Sequence, residues 1–327
     1  AKKLGYDYRV VQTSGFDKRT SVLDFLAKNG IVIDSDKFST LDISKRNIYH
    51  YAYLPLHPDD VIVVSAWWDA YNASKLPLAK KFVYMLHDYE PIFYNNGDEQ
   101  QLAESTYHTK SFIPLCNTEL IYKYFSSNGY KYIQDNALRF EPAVALSPQK
   151  QKKHNKKTLF LYGRPGVERN MFYTAIQSID LALQHDTLSS DDWDIFCAGQ
   201  SDIPNIKLKS GNTLRNLGKM SMDEYYDFAR SVDVAVSPML APHPNYPTLE
   251  LASAGAAVVT TRYKTKQDLS MYSRNIIMCD PTISDMSAKI IEACQRSKTS
   301  QSASDHHILA DWDASLRHVI PDIIDKL

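Results

Sequence analysis

Long apolar runs are missing from this sequence. No stretch approaches the roughly 20 consecutive apolar residues that a membrane span needs, and the opening "AKKLGYDYRVV" has no signal-peptide core. A soluble, cytoplasmic chain is expected, one able to sit peripherally on a membrane surface. Paired cysteines are missing too. Cys116, Cys197, Cys279 and Cys294 are scattered without a CxxC pair, which fits a reduced compartment. Charge of one sign is not in excess, since 37 Lys+Arg meet 38 Asp+Glu, so no overall field marks a nucleic-acid binder. HExxH, P-loop and GxSxG patterns are absent. His306 and His307 are adjacent rather than at helical spacing. The two "DWD" triplets, at 192–194 and 311–313, lead into a strand and open a helix, whereas a metal-binding Asp-X-Asp motif would follow a strand end. No metal site is expected.

What remains is an ordinary globular composition, 44% hydrophobic and 23% charged, in 327 residues. That length suits two domains of about 150 residues each. Short apolar runs alternate with segments of helical spacing: "DYRVVQTS" then "SVLDFLAKNG", followed by strands at 61–66 and 81–86, and "KSFIPLCN" running into a capped helix. Continuous apolar strands between helices predict parallel sheets covered on both faces. The hydrophobes thin out in "AVALSPQKQKKHNKK", a linker signature. The expected layout is a first Rossmann-like domain over 1–145, a linker over 146–157, a second over 158–305, and a closing helix over 306–327. "AKKLGYDY" reads as the tail of a first helix entering strand two, so the first strand of domain one is expected to be missing.

Two doubly wound domains bind ligands between the carboxyl ends of their sheets. After the strand "TLFLY", "GRPGVERN" sets Gly163, Arg164 and Arg169 around a turn at a helix start, where two guanidiniums suit a diphosphate. The ordinary alternatives are a surface ion pair for Arg169 and a snorkelling Arg164. Gly218 and Lys219 precede a capping box of Ser221 and Glu224 and sit where a base or phosphate could rest; a solvated lysine is the alternative. In "PHPNYPTLELASAG" the prolines stiffen the approach to a helix. Thr248 is the expected N-cap, and Glu250 is expected in the first turn, where it either binds ligand or merely complements the helix dipole. In the first domain, "SAWWDAY" and "HDYEPIFY" gather Trp67, Trp68, Asp69, Tyr89, Glu90 and Tyr94, and Glu104 and Tyr107 follow. Aromatic faces and carboxylates at strand ends suit a saccharide acceptor, with His87 or Asp88 as a base. Each of these, taken singly, also reads as a buried anchor.

"LYGRPGVERN", "LGKMSMDEYYDFARSVDVAVSP" and "PHPNYPTLELASAGAAVVTTR" together resemble the nucleotide-sugar domain of GT-B glycosyltransferases of the large retaining family four, over about residues 158 to 265. "PHP-x-YP-x-LE", "HDYEP-x-FY" and "AE-x-TY" are similar to bacterial surface-glycan rhamnosyltransferases of the WsaF type. The resemblance implies an α/β GT-B fold, two Rossmann-like domains facing across a cleft. It implies anomeric-retaining transfer from a nucleoside diphosphate sugar of the dTDP or UDP type, without a metal or other cofactor, to a saccharide or lipid-linked glycan in O-antigen-like polysaccharide synthesis. Glu250 would bind the ribose, Arg164 and Arg169 the diphosphate, and the Gly218–Lys219 loop the base. Most relatives have two glutamates seven residues apart, but His243 stands where the first would be. His243, Asn245 and Tyr246 would then face the sugar and phosphates, and a 6-deoxy sugar such as rhamnose suits that change. A silent nucleotide-sugar or glycan-binding module of a larger synthase, partnered by its other domains, is the alternative. A periplasmic-type binding protein is a weaker one.

Overall fold

The computed structural model describes residues 5–13, 19–28, 30–41, 54–144, 156–299, 307–309 and 311–327. The first domain runs β1 (Val10–Gln12), α1 (Arg19–Lys28), β2 (Phe38–Thr40), β3 (Val63–Val64), α2 (Trp67–Ala73), β4 (Phe82–Leu86), α3 (Asp98–Thr106), β5 (Phe112–Asn117), α4 (Glu119–Ser127), α5 (Lys131–Asn136) and β6 (Leu138–Phe140). Strands β3-β4-β5-β6 form one parallel sheet, and β1 and β2 pair with each other. Every residue of β5 is buried, as a central strand covered on both faces requires. Thr118 caps α4 by accepting a hydrogen bond from the Ile121 amide at 3.3 Å.

The second domain runs β7 (Lys157–Tyr162), α6 (Phe172–Leu183), β8 (Trp193–Ala198), β9 (Ile206–Lys207), β10 (Thr213–Asn216), α7 (Met222–Ala229), β11 (Val234–Val236), α8 (Tyr246–Ser253), β12 (Ala257–Thr261), β13 (Ile276–Cys279) and α9 (Ile283–Thr299). Its sheet order is β13-β12-β11-β7-β8-β10-β9, parallel except for β9. The strand order reverses between β7 and β11, and a doubly wound sheet opens its crevice at such a reversal. Side chains alternate across the sheet: Leu159 and Leu161 of β7 pack toward α6 and α9, and Phe160 packs on the opposite face with Ala229 of α7 and Leu249 of α8. All four cysteines are free and buried. No described helix is long and apolar enough to cross a membrane.

Three expectations need correction. Residues 1–4 of the expected opening helix tail lie outside the described residues, and 6–9 are not helical. Of the expected linker, 146–155 also lies outside them, and Lys157 already belongs to β7. The single closing helix is two short ones, α10 (Trp312–Leu316) and α11 (Val319–Asp325). They pack on the first domain, with Val319 joining Val83, Leu115 and Phe140 in one apolar cluster. The chain therefore crosses between domains twice. The two crossings touch: Ala143 bridges Leu309 in parallel, and the Val144 amide donates to the Leu309 carbonyl at 2.6 Å. Glu141 ties this seam by accepting from the Glu119 amide at 2.8 Å and the Tyr272 hydroxyl at 2.6 Å, and its carbonyl accepts from Ser315 Oγ.

Candidate functional site

Loops leaving the carboxyl ends of β7, β8 and β10 join backbone to backbone. The Gly163 amide donates to the Ala198 carbonyl at 2.9 Å, and the Gly199 amide to the Gly218 carbonyl at 3.1 Å. Glycine is required for this approach. A Cβ at Gly163 would lie 2.7 Å from the Phe172 ring, and one at Gly199 would lie 2.9 Å from the Gly163 carbonyl oxygen, at a φ of +126°. Asn216, unremarked in the sequence, holds the outer loop. Its Nδ2 donates to the Ile203 carbonyl at 2.8 Å, while its Oδ1 accepts from the Gly218 amide at 2.9 Å. Lys219 beside it is exposed, and Ser221 and Glu224 form the expected capping box. Gly163→Ala is expected to cost about 1–3 kcal/mol of stability, because the Phe172 ring is buried and cannot swing away. Gly166→Ala, whose Cβ would meet only Gln200 Oε1 at 3.4 Å, is the control. Urea midpoints check this, and equal midpoints for the two variants would refute the steric account.

Arg164 is exposed and Arg169 is partly buried, close enough for each to feel the other's charge. The Arg169 guanidinium lies 3.9 Å above the centre of the Phe93 ring, its Nε has no hydrogen-bond partner, and burial lowers its pKa, which the Asp88 charge opposes. Two adjacent cations, neither in an ion pair within 4.0 Å among the described residues, suit an anion.

Helix α8 begins earlier than expected. Asn245 is its N-cap, at φ +73°, and Tyr246 and Pro247 fill its first two positions, as proline's fixed φ favours. Thr248 is therefore not the cap. It is fully buried, its hydroxyl donating to the Ser237 carbonyl at 3.3 Å, which removes it from direct ligand contact. Glu250 falls in the second turn and the first turn carries no acid, so dipole complementation does not explain it. Burial raises its pKa to about 6, and the approaching Tyr225 hydroxyl partly offsets this. Asn245 Nδ2 donates to Ser237 Oγ at 2.8 Å and its amide to His243 Nδ1 at 3.0 Å. With Nδ1 accepting, His243 carries its proton on Nε2. That Nε2 is buried without a partner, and burial lowers the ring's pKa to about 3, so it is a neutral donor.

Lys266, which the sequence reading overlooked although it follows a strand end, is fully buried and donates to the Met239 carbonyl at 2.8 Å and the His243 carbonyl at 3.3 Å. It braces the proline-rich loop. Burial lowers its pKa to about 7, opposed by the Asp88 charge. Asp88 is itself buried, which raises its pKa to about 6 against the pull of the Tyr89 amide, Lys266 and Arg169. Asp88 thus belongs to an interdomain charge cluster rather than to a solvent-facing base. His87 is pinned as well. Asn117 Nδ2 lies 3.1 Å from His87 Nδ1 and donates to the Tyr246 hydroxyl at 2.8 Å, across the domain seam. With Nδ1 accepting and burial lowering its pKa, His87 presents an N–H and is not poised as a base.

The expected acceptor cluster divides in two. Trp67 is 1% exposed, its amide donating to Glu90 at 3.3 Å and its ring nitrogen to the Tyr94 hydroxyl at 2.8 Å. Tyr107 is 1% exposed and accepts from the Glu90 amide at 3.1 Å. Burial raises the Glu90 pKa to about 7, and Tyr84 donates to it at 3.2 Å. Glu104 is saturated by the Tyr89 and Tyr130 hydroxyls at 2.6 and 2.7 Å, with His108 Nε2 at 3.1 Å. Trp67, Glu90, Glu104 and Tyr107 are therefore scaffold, because a side chain already enclosed or fully bonded cannot receive a sugar. Trp68, Asp69, Tyr89 and Tyr94 stay half-buried on the rim. Among the described residues no group of three or more His, Cys, Asp or Glu is placed to hold a metal ion.

This arrangement of loops on both sheets meets two matching family descriptions. "WsaF, N-terminal domain" matches residues 1–119, and "WsaF, C-terminal domain" matches residues 157–291. The chain belongs to the WsaF family. A relative of this WsaF-family chain is the O-antigen biosynthesis protein RfbC of Myxococcus xanthus, 26% identical over 280 residues, or 81% of this chain. The chain spans only 21% of RfbC's own length. Among solved structures, HepE of Anabaena in complex with UDP and glucose superposes with a TM-score of 0.65 at 11% identity, covering 97% of this chain and 98% of that one. A glycosyltransferase of Rickettsia africae gives 0.59 at 15% identity, with coverages of 99% and 87%. These likenesses establish the GT-B fold for the WsaF-family chain.

Proposed function

We propose that the chain is a glycosyltransferase that moves a glycosyl group from a nucleoside diphosphate sugar to a saccharide acceptor, with anomeric retention, in bacterial surface-polysaccharide synthesis. One observation carries this reading: the Arg164–Arg169 cation pair follows β7 and the buried Glu250 carboxylate follows β11, the two neighbouring strands that flank the sheet's reversal point. The guanidiniums bind the diphosphate and stabilise the charge that grows on it as the glycosidic bond breaks. They supply positive charge there without calling on a metal. Glu250 accepts from the ribose hydroxyls, and the Gly163–Gly199–Gly218 backbone ledge takes the base. Trp68, Asp69, Tyr89 and Tyr94 form the acceptor rim. The name of the RfbC relative supports the O-antigen context. The HepE complex, solved with UDP and glucose, supports a nucleotide-sugar donor. A 6-deoxyhexose such as rhamnose, carried on dTDP or UDP, is the donor favoured by the neutral His243 at the position of an acidic residue. The chain acts in the cytoplasm at the inner membrane face, on a glycan or lipid-linked glycan.

Calorimetric titration with UDP, dTDP and GDP tests the site, with micromolar binding of at least one expected. Failure of all three to bind overturns the assignment. A second reading, a silent binding module of a larger synthase, is favoured by the small share of RfbC that the chain spans. Donor turnover by the isolated chain rejects it.

A further inference from the structure

Phe93 is a large apolar side chain that its own domain leaves out of its core. The short turn that carries it, Glu90–Phe93, is fixed on both sides. Glu90 is locked by the Trp67 amide at 3.3 Å and the Tyr84 hydroxyl at 3.2 Å, Pro91 is buried, and the Tyr94 hydroxyl accepts from the Trp67 ring nitrogen at 2.8 Å. Yet among the described residues Phe93 joins neither apolar cluster of the first domain, and it stays half-buried. Its ring lies instead against the second domain, with the Arg169 Cζ 3.9 Å from the ring centre. The root of Arg169 is held by its own domain: it lies in the turn Glu168–Asn170, and its carbonyl accepts from the Leu240 amide at 2.8 Å. The tip has no such hold. Its Nε is unpartnered and no ion pair engages it among the described residues, so the Phe93 face is what orients the guanidinium.

A ring face suits this task better than an acid would. A carboxylate holds a guanidinium through its in-plane N–H groups and cancels its charge. An aromatic face attracts it from above, which restricts its rotation and leaves the in-plane N–H groups and the charge available to an anion. Asp88, on the same first-domain segment after β4, reaches Arg169 only as a longer-range charge. We propose that Phe93 is a positioning residue: the first domain supplies the ring that orients the second domain's Arg169 toward the terminal phosphate of a bound nucleoside diphosphate. Because ring and guanidinium come from different domains, that phosphate is gripped at full strength only while the two are in contact. This rests on the nucleotide-sugar reading above, and it adds that the first domain, to which that reading gives the acceptor, also sets the grip on the donor's leaving group.

The test uses the free diphosphate, whose terminal phosphate carries the charge that develops on the leaving group. UDP and dTDP, with UMP and dTMP as counterparts lacking that phosphate, are titrated into the wild-type chain, Phe93→Leu, Phe93→Tyr, Arg169→Ala and the double variant Phe93→Leu/Arg169→Ala, each checked for a cooperative melt. For the diphosphate that binds the wild type, Phe93→Leu is expected to lose about threefold to tenfold in affinity, the scale of a partly desolvated cation–π contact, while the matching monophosphate changes by less than about twofold. Phe93→Tyr keeps the ring face and is expected to stay within about twofold of the wild type. Once Arg169 is already alanine, Phe93→Leu is expected to change diphosphate affinity by less than about twofold, as a double-mutant cycle through one contact requires. If Phe93→Leu does not fold, Phe93→Met, which also lacks a ring, takes its place. If the monophosphate binds too weakly to titrate, the tyrosine and double-variant arms decide. Equal losses for monophosphate and diphosphate, no loss for either, a tyrosine variant as weak as the leucine one, or a loss that persists undiminished without Arg169 overturns this proposal alone and leaves Phe93 as packing. A wild-type chain that binds no diphosphate overturns the functional reading and this proposal with it.

Discussion

Arg169→Ala is expected to lower kcat by about 10²–10³ at saturating donor, the loss typical of deleting one preorganised donor to a developing negative charge. Three features set that magnitude. The guanidinium is fixed over the Phe93 ring at 3.9 Å, its Nε is unspent, and it sits partly buried, where an ion pair is less screened than in water. Preorganisation means that little reordering is needed as the diphosphate departs. Arg164, which is exposed, works against solvent screening, so Arg164→Ala is expected to cost only about tenfold. Arg169→Lys keeps the charge but not the planar fork, and should recover part of the loss. Steady-state kinetics decides. A matched fall in kcat and kcat/KM marks an interaction made in the transition state, whereas a rise in KM alone would place Arg169 in ground-state binding and refute its catalytic role.

Glu250→Ala is expected to weaken nucleoside diphosphate binding by about 10²–10³, since a carboxylate accepting two hydroxyl hydrogen bonds contributes charged bonds worth about 1.5–3 kcal/mol each. Because burial raises the Glu250 pKa to about 6, the ionised form prevails at pH 7.5 and is lost as the pH falls through 6. Affinity should drop with acidification across that window, and Glu250→Gln should abolish the drop. Asp88 titrates in the same region, so an acid limb persisting in Glu250→Gln would assign the effect to the Asp88–Lys266 cluster instead. His243 adds nothing there, because burial keeps it neutral down to about pH 3. Calorimetry from pH 5 to 8 separates these outcomes.

What the sequence revealed and what it hid divide along physical lines. Residues whose role depends on chain geometry were legible: the glycines that end β7 and start the β10–α7 loop, the Ser221–Glu224 capping box, and the continuous apolar strands. Residues whose role depends on who lies opposite were not. Tyr107 and Trp67 look like sugar platforms in one dimension, yet each is 1% exposed. Asn117 and Glu141 reveal themselves only where the second domain meets the first, and Lys266 only where its own loop folds against the Met239 and His243 carbonyls; nothing in their local spacing signals it. The start of α8 was misplaced because Thr248 is a better cap by type than by position. Asn245, which tolerates the left-handed region, took that place three residues earlier.

The paired crossings at Ala143 and Leu309 bear on how the cleft moves. Two backbone segments fastened side by side bend readily about one line and resist both sliding and swivelling. Any change in the approach of the two sheets is then expected to hinge at this seam, beside Glu141. The other interdomain contacts, from Asn117 to Tyr246 and from Arg169 to Phe93, are expected to loosen together in such a motion, so that a ligand that favours one favours both.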